Sequence, residues 1–102
     1  MTSDFEKEIQ EKGLLAPRAT PEYVESLIKE EAYYVFPGTT ITVCCLTMLN
    51  DYAVTADSAC AHPANFDEEL GRKIARKKAI DKVYQFAGFM VKQAQFIKRS
   101  GE

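Results

Sequence analysis

From Thr39 to Leu49 the chain is more strand-like than anywhere else, and Asn50-Asp51 then turns it back into a second extended run from Tyr52 to about Ser58. An unbroken series of β-branched and apolar residues favours extended backbone, so the centre of the sequence is a β-hairpin. Neighbouring strand residues point to opposite faces, which puts Ile41, Val43 and Cys45 on one side and Leu46 and Met48 on the other. A two-stranded ribbon is marginal in water, and one that is apolar on both sides needs a layer against each. Tyr33-Tyr34-Val35-Phe36, ended by Pro37-Gly38, supplies a third strand, and the long helical segment downstream covers one face. The expected fold class is therefore α+β: a small antiparallel sheet packed with a long helix from the C-terminal half and with N-terminal helices, as one domain over residues 1–102. Few elements remain for the second face, so a homodimer or larger ring built through the sheet is expected.

The long helix is announced by an abrupt change at Asn65. Asn65 can cap the helix, Glu68 can reach back to it, and Asp67, Glu68 and Glu69 suit the positive end of the dipole. The pattern predicts a helix over about Phe66 to Gln85, in which Gly71, Ala75 and Ala79 recur every fourth residue and let another backbone approach closely. Leu70, Ile74, Ile80 and Val83 flank that row as the expected packing stripe. Ala87-Gly88 then interrupts, and Phe89 to Lys98 forms a final helix or strand. Upstream, Ser3 and Glu6 form a capping box for a short helix stopped by Gly13, and Leu14 to Ala19 is a linker, so residues 1–19 are expected to be mobile. Thr20-Pro21-Glu22 restarts a helix over Pro21 to Glu31, with Tyr23, Val24, Leu27 and Ile28 on one face.

Charge is distributed unevenly. Residues 1–31 carry eight acids and four bases, a balance of −4, whereas residues 65–102 carry nine bases and five acids, a balance of +4. Arg72, Lys73, Arg76, Lys77 and Lys78 place five cations within seven residues. Such a band is either a solvated helix face or a site for an anion. The chemistry of most enzymes is missing: there is no phosphate-cradling glycine loop, no nucleophile elbow, no paired carboxylates at strand ends, and one histidine. His62 reads as a loop residue. Cys44, Cys45 and Cys60 cannot all pair, and as strand neighbours Cys44 and Cys45 do not readily share a metal. Free thiols, no cofactor, no metal, no membrane span and a cytosolic location are expected.

Thr20-Pro21-Glu22, Phe36-Pro37-Gly38-Thr39-Thr40, Cys44-Leu46-Thr47, Ser58-Ala59-Cys60, Asn65-Phe66-Asp67 and Gly71-Arg72-Lys73-Ile74-Ala75 occur in an order that resembles one family. It is that of the small tailed-phage proteins called after gene products forty-nine and sixty-six of two enterobacterial phages, and the resemblance runs from Thr20 to about Gln93. The chain departs from it at Asn50-Asp51, where an Asn-Gly type of turn is usual, and at Phe86-Ala87-Gly88-Phe89, where an acid usually precedes the glycine. Membership implies a phage accessory protein in the host cytoplasm, with no established enzymatic role. The arrangement is also similar to phage anti-defence sponges, including the Thoeris anti-defence type, which are oligomers that sequester cyclic nucleotide immune signals without cleaving them.

Three functions are then open. In the first, a small phosphorylated nucleotide is captured between subunits, with phosphates on Arg72, Lys73 or Arg76 and a base stacked on Phe66 or Tyr34; these two aromatics also read as a helix cap and a core residue. In the second, Glu6, Glu8, Glu11, Glu25, Glu30 and Glu31 imitate nucleic-acid charge and inhibit a host protein. The third, duplex nucleic-acid binding, is disfavoured by the negative total charge and the lack of a second basic element.

Overall fold

A computed structural model describes residues 4–13 and 18–101. The expected Ser3 cap and the Leu14–Pro17 part of the linker lie outside the described residues. The elements in chain order are α1 (Asp4–Glu11), α2 (Pro21–Ser26), β1 (Ile28–Val35), β2 (Thr42–Met48), β3 (Ala53–Ser58), a 3-10 turn (Pro63–Asn65) and α3 (Glu68–Ser100). The sheet is antiparallel in the order β1-β2-β3, so the fold is α+β, as the sequence indicates.

The hairpins are set by local chemistry. Between β1 and β2, Thr39 N–H donates to the Phe36 carbonyl at 3.1 Å, and Gly38 takes the positive φ of 76° that the third position of a type II turn requires. Between β2 and β3, Asp51 N–H donates to the Met48 carbonyl at 2.9 Å. Asp51 itself has φ 71°, the left-handed conformation that glycine adopts without cost. The register places Cys44 between Tyr33 and Ala56, and Leu46 between Glu31 and Val54.

Several expectations are corrected. The helix that restarts at Thr20 has the expected cap, with Tyr23 N–H donating to Thr20 Oγ1 at 3.1 Å, but it ends at Ser26 rather than Glu31. Residues from Ile28 onward pair with β2 instead, and that ladder outweighs their helical spacing. Lys29 is passed over in a register shift and reaches Asp51 across the turn. Helix α3 is capped by Asp67, whose carboxylate accepts from Leu70 N–H at 3.1 Å, while Asn65 closes the preceding 3-10 turn. It then continues through Gly88 to Ser100 as one helix, about 50 Å long at 1.5 Å per residue.

The core lies between one face of the sheet and α3. Thr42, Cys44, Leu46 and Met48 from β2 and Val54, Ala56 and Ser58 from β3 meet Ala75, Ala79, Val83 and Ala87. The small-residue row is thus the contact itself, whereas Leu70 and Ile74, expected in the packing stripe, are exposed. A Cβ on Gly71 would lie 2.9 Å from Thr42 Oγ1, so this end of the helix approaches the sheet too closely for any side chain. Val24 of α2 completes the core, with Tyr23, Leu27, Ile28 and Tyr33 packed at its edge. Nothing among the described residues is stacked on the opposite face, where Val43, Cys45 and Thr47 are half-buried between β1 and β3.

Helix α1 is held by charge. Nη1 and Nη2 of Arg18 donate to the two oxygens of the Glu6 carboxylate, the first at 2.7 Å, and Gln10 donates to it at 2.9 Å. The Arg18 and Gln10 hydrogen bonds pull the Glu6 carboxyl below its ordinary pKa.

Candidate functional site

Where α2 and the first half of β1 pass beside the first third of α3, the two oppositely charged ends of the chain meet. Arg76 sits at that junction. Its Nη1 and Nη2 donate to the Glu25 carboxylate at 3.1 and 2.9 Å, and its Nε donates to Glu31 at 2.8 Å. Glu25 is carried by α2, and Glu31 by the helix-facing side of β1 opposite Leu46. These charge-assisted bonds raise the Arg76 pKa, so the residue is a fixed cation at every accessible pH. Its planar fork makes it a rigid clasp between three elements.

Beside the clasp opens a cleft of about 380 Å3. Lys73, Arg76 and Lys77 form its cationic wall, Glu25 adds a carboxylate, and Pro21, Val24, Ile80 and Tyr84 form its apolar side. Lys73 and Lys77 are only loosely held by their own helix: Lys73 lies 3.5 Å from Glu69 and Lys77 lies 3.7 Å from Asp81, with both ammonium groups largely exposed. Pairs of this kind are worth a few tenths of a kcal/mol. They yield readily to a doubly charged anion. The Tyr84 hydroxyl has its pKa raised by burial and by the nearby negative charge of Glu6, Glu22 and Glu25, so at neutral pH it is a protonated phenol.

The five residues singled out from sequence are not all brought together. Lys73 and Arg76 share the cleft. Arg72, one turn earlier, is outside its lining and binds Glu68 at 2.7 Å. Phe66 lines a smaller cavity of about 180 Å3 by the start of α3, together with Cys60, Leu70 and Ile74. Tyr34 lies on the sheet face turned away from α3, opposite Val43, with its ring edge-on to Phe36 at 4.9 Å. A base stacked on Phe66 or Tyr34 would therefore lie at a different place from phosphates held by Lys73.

Residues that sequence reasoning missed are Glu25 and Glu31 as partners of Arg76, Lys77 as a wall of the cleft, and Tyr84 with Pro21 as its apolar side. The available signal was the spacing of Lys73, Lys77, Ile80 and Tyr84, which puts all four on one strip of a helix.

The three cysteines are free thiols, and His62 caps the 3-10 turn. Cys44 is buried against the helix, where desolvation raises its thiol pKa. Cys60 Sγ donates to the His62 carbonyl at 3.2 Å, and His62 Nδ1 accepts from Ala64 N–H at 3.1 Å, closing the 3-10 turn. Among the described residues, no group of three or more His, Cys, Asp or Glu side chains is placed to hold a metal. No helix of the described residues is long and apolar enough to cross a membrane.

Comparison with known proteins places residues 19–95 in the family described as Phage protein (N4 Gp49/phage Sf6 gene 66). No curated protein and no solved structure matches the chain.

Proposed function

Because the chain belongs to that phage protein family, we propose that it is a non-enzymatic accessory protein that sequesters a small phosphorylated nucleotide, a host immune signal, in the cleft between α2 and α3. The single observation that carries this reading is the lining of the cleft: two loosely paired ammonium groups, a fixed guanidinium and a phenol ring around about 380 Å3. A cavity of this size, apolar on one side with a few convergent charges on the other, is typical of small-ligand sites. Phosphate oxygens would exchange the carboxylates of Glu69 and Asp81 for direct contacts to Lys73 and Lys77. Tyr84 offers a ring face to a base, and Glu25 offers an acceptor to an exocyclic amine.

A protein-directed inhibitor built on acidic mimicry has less support. Of its six glutamates, Glu6, Glu8, Glu25 and Glu31 are paired with the chain's own cations.

Isothermal calorimetry against cyclic and linear nucleotides tests the proposal. Saturable binding by the wild type, weakened at least tenfold in Lys73→Glu or Lys77→Glu, is expected. No heat from any member of the panel would overturn it and favour a protein target.

A further inference from the structure

The last residue of α3 buried against the sheet is Ala87; none of residues 88–100 is buried. About 20 Å of helix therefore projects beyond the sheet, and the radius of gyration, 16.8 Å, exceeds the roughly 13 Å usual for a chain of this length. The overhang is not polar. Phe86, Phe89, Met90, Phe96 and Ile97 are 45, 69, 48, 45 and 60% exposed, and at 100° per residue they fall within a strip about 120° wide. The strip runs into an apolar groove of about 400 Å3 formed with Leu27, Met48, Leu49 and Tyr52. Tyr52 stands edge-on to Phe86 at 5.6 Å as one wall of that groove.

We infer that this surface is a two-fold interface at which the overhanging end of α3 from a second copy of the chain lies antiparallel on the first. Three observations select that occupant. The exposed fractions of Leu49, Tyr52 and the five strip residues, on side chains offering about 150–250 Å2 each, amount to on the order of 800 Å2 per copy. That is the area a standard interface buries on each side, and more than a typical monomer leaves open in one patch.

The strip is also complementary to itself. An axis between Val91 and Lys92 sets Phe86 of one copy against Ile97 of the other, and Met90 against Gln93. Apolar side chains thereby face apolar or flexible ones, and the tip of each helix lands over the groove beside the β2–β3 turn of the other. Charge sets the direction. Lys92 and Arg99 flank the strip, about 40° and 60° beyond its Phe96 edge, and antiparallel pairing separates the two Lys98-Arg99 ends by about 20 Å, beyond the screening length, whereas parallel pairing would stack them.

The open sheet face is a poorer candidate. Apart from Tyr34, β1 and β3 present it with Glu30, Ala32, Ala53, Thr55 and Asp57, which are small or polar. The interface is separate from the α2–α3 cleft, so it stands or falls apart from the ligand proposed there.

Sedimentation velocity of the full chain at micromolar concentration decides the matter. The wild type is expected at twice the 11.5 kDa of one chain. Phe89→Glu and Ile97→Glu, both on solvent-facing helix positions, are expected to sediment as monomers with unchanged circular dichroism, whereas Tyr34→Glu stays dimeric. A wild-type monomer would overturn the inference, as would a dimer that survives both helix variants or is lost only in Tyr34→Glu. A monomer that floats with phosphatidylglycerol vesicles would overturn it in favour of a membrane surface.

Discussion

Two glycines lie in the same helix, and replacing each by alanine should move stability in opposite directions. Alanine gains about 0.5–1 kcal/mol over glycine in a helix interior, because the unfolded chain has less freedom to lose. At Gly88 an added Cβ meets nothing within 4 Å. Gly88→Ala should keep the whole gain and raise Tm by about 2–8 °C for a domain of this size. At Gly71 the Cβ would sit 2.9 Å from Thr42 Oγ1 and 3.5 Å from Thr42 Cβ. Thr42 is fully buried and cannot swing into solvent, so overpacking of about 1–3 kcal/mol opposes the gain. A net loss of about 1 kcal/mol is expected.

The hydroxyl can be isolated. Thr42 Oγ1 is buried without a hydrogen-bond partner among the described residues, so Thr42→Ala removes the obstructing atom without breaking a bond. In that background Gly71→Ala should become neutral or stabilising, giving a coupling energy of about 1–2 kcal/mol in a double-mutant cycle. Urea denaturation of the four proteins, with Gly88→Ala as reference, measures it. If Gly71→Ala stabilises as much as Gly88→Ala and Thr42→Ala makes no difference, the close approach of α3 to the sheet is wrong.

Asp51→Gly relieves a left-handed residue and should stabilise by several tenths of a kcal/mol, since the exposed Lys29 pair it sacrifices is worth little; chemical denaturation reads the change. Arg76→Met leaves Glu25 and Glu31 without their shared cation and should cost about 1 kcal/mol, a loss that shrinks as salt rises in melts between low and high ionic strength. Burial next to Cys44 pushes the Tyr33 phenol up to about 12. A folded-state pKa above the unfolded value of about 10 means that its contribution is complete below pH 10 and is lost as pH rises towards 12. Tyr33→Phe should therefore flatten the alkaline fall in stability across that window, as followed by circular dichroism.

How much was legible from sequence depends on the range of the interaction that decides each element. The β2–β3 hairpin and the Thr20 cap follow from neighbouring residues and were readable. So was the Gly71, Ala75, Ala79 row, because spacing alone marks a close contact. The end of α2 was not, since Tyr23, Val24, Leu27 and Ile28 keep helical spacing through Ile28 and only the pairing with β2 overrides it. Gly88 reads as a breaker, yet a single glycine costs a helix only about 1 kcal/mol, too little to stop one anchored by four buried residues upstream. At the site, the cations of α3 were visible. Their environment was not: Glu25 and Glu31 reach Arg76 from 51 and 45 residues away, and no local pattern encodes such a meeting. Phe66 and Tyr34 were natural choices as stacking surfaces, but packing put them at other places.

Capture without chemistry is most directly tested by the fate of the ligand. The nucleotide that gives the strongest calorimetric signal would be incubated with the protein, freed of excess, released by heating and analysed by chromatography. Recovery of one unaltered nucleotide per cleft is the predicted result; a nucleotide recovered cleaved or otherwise converted would contradict the account.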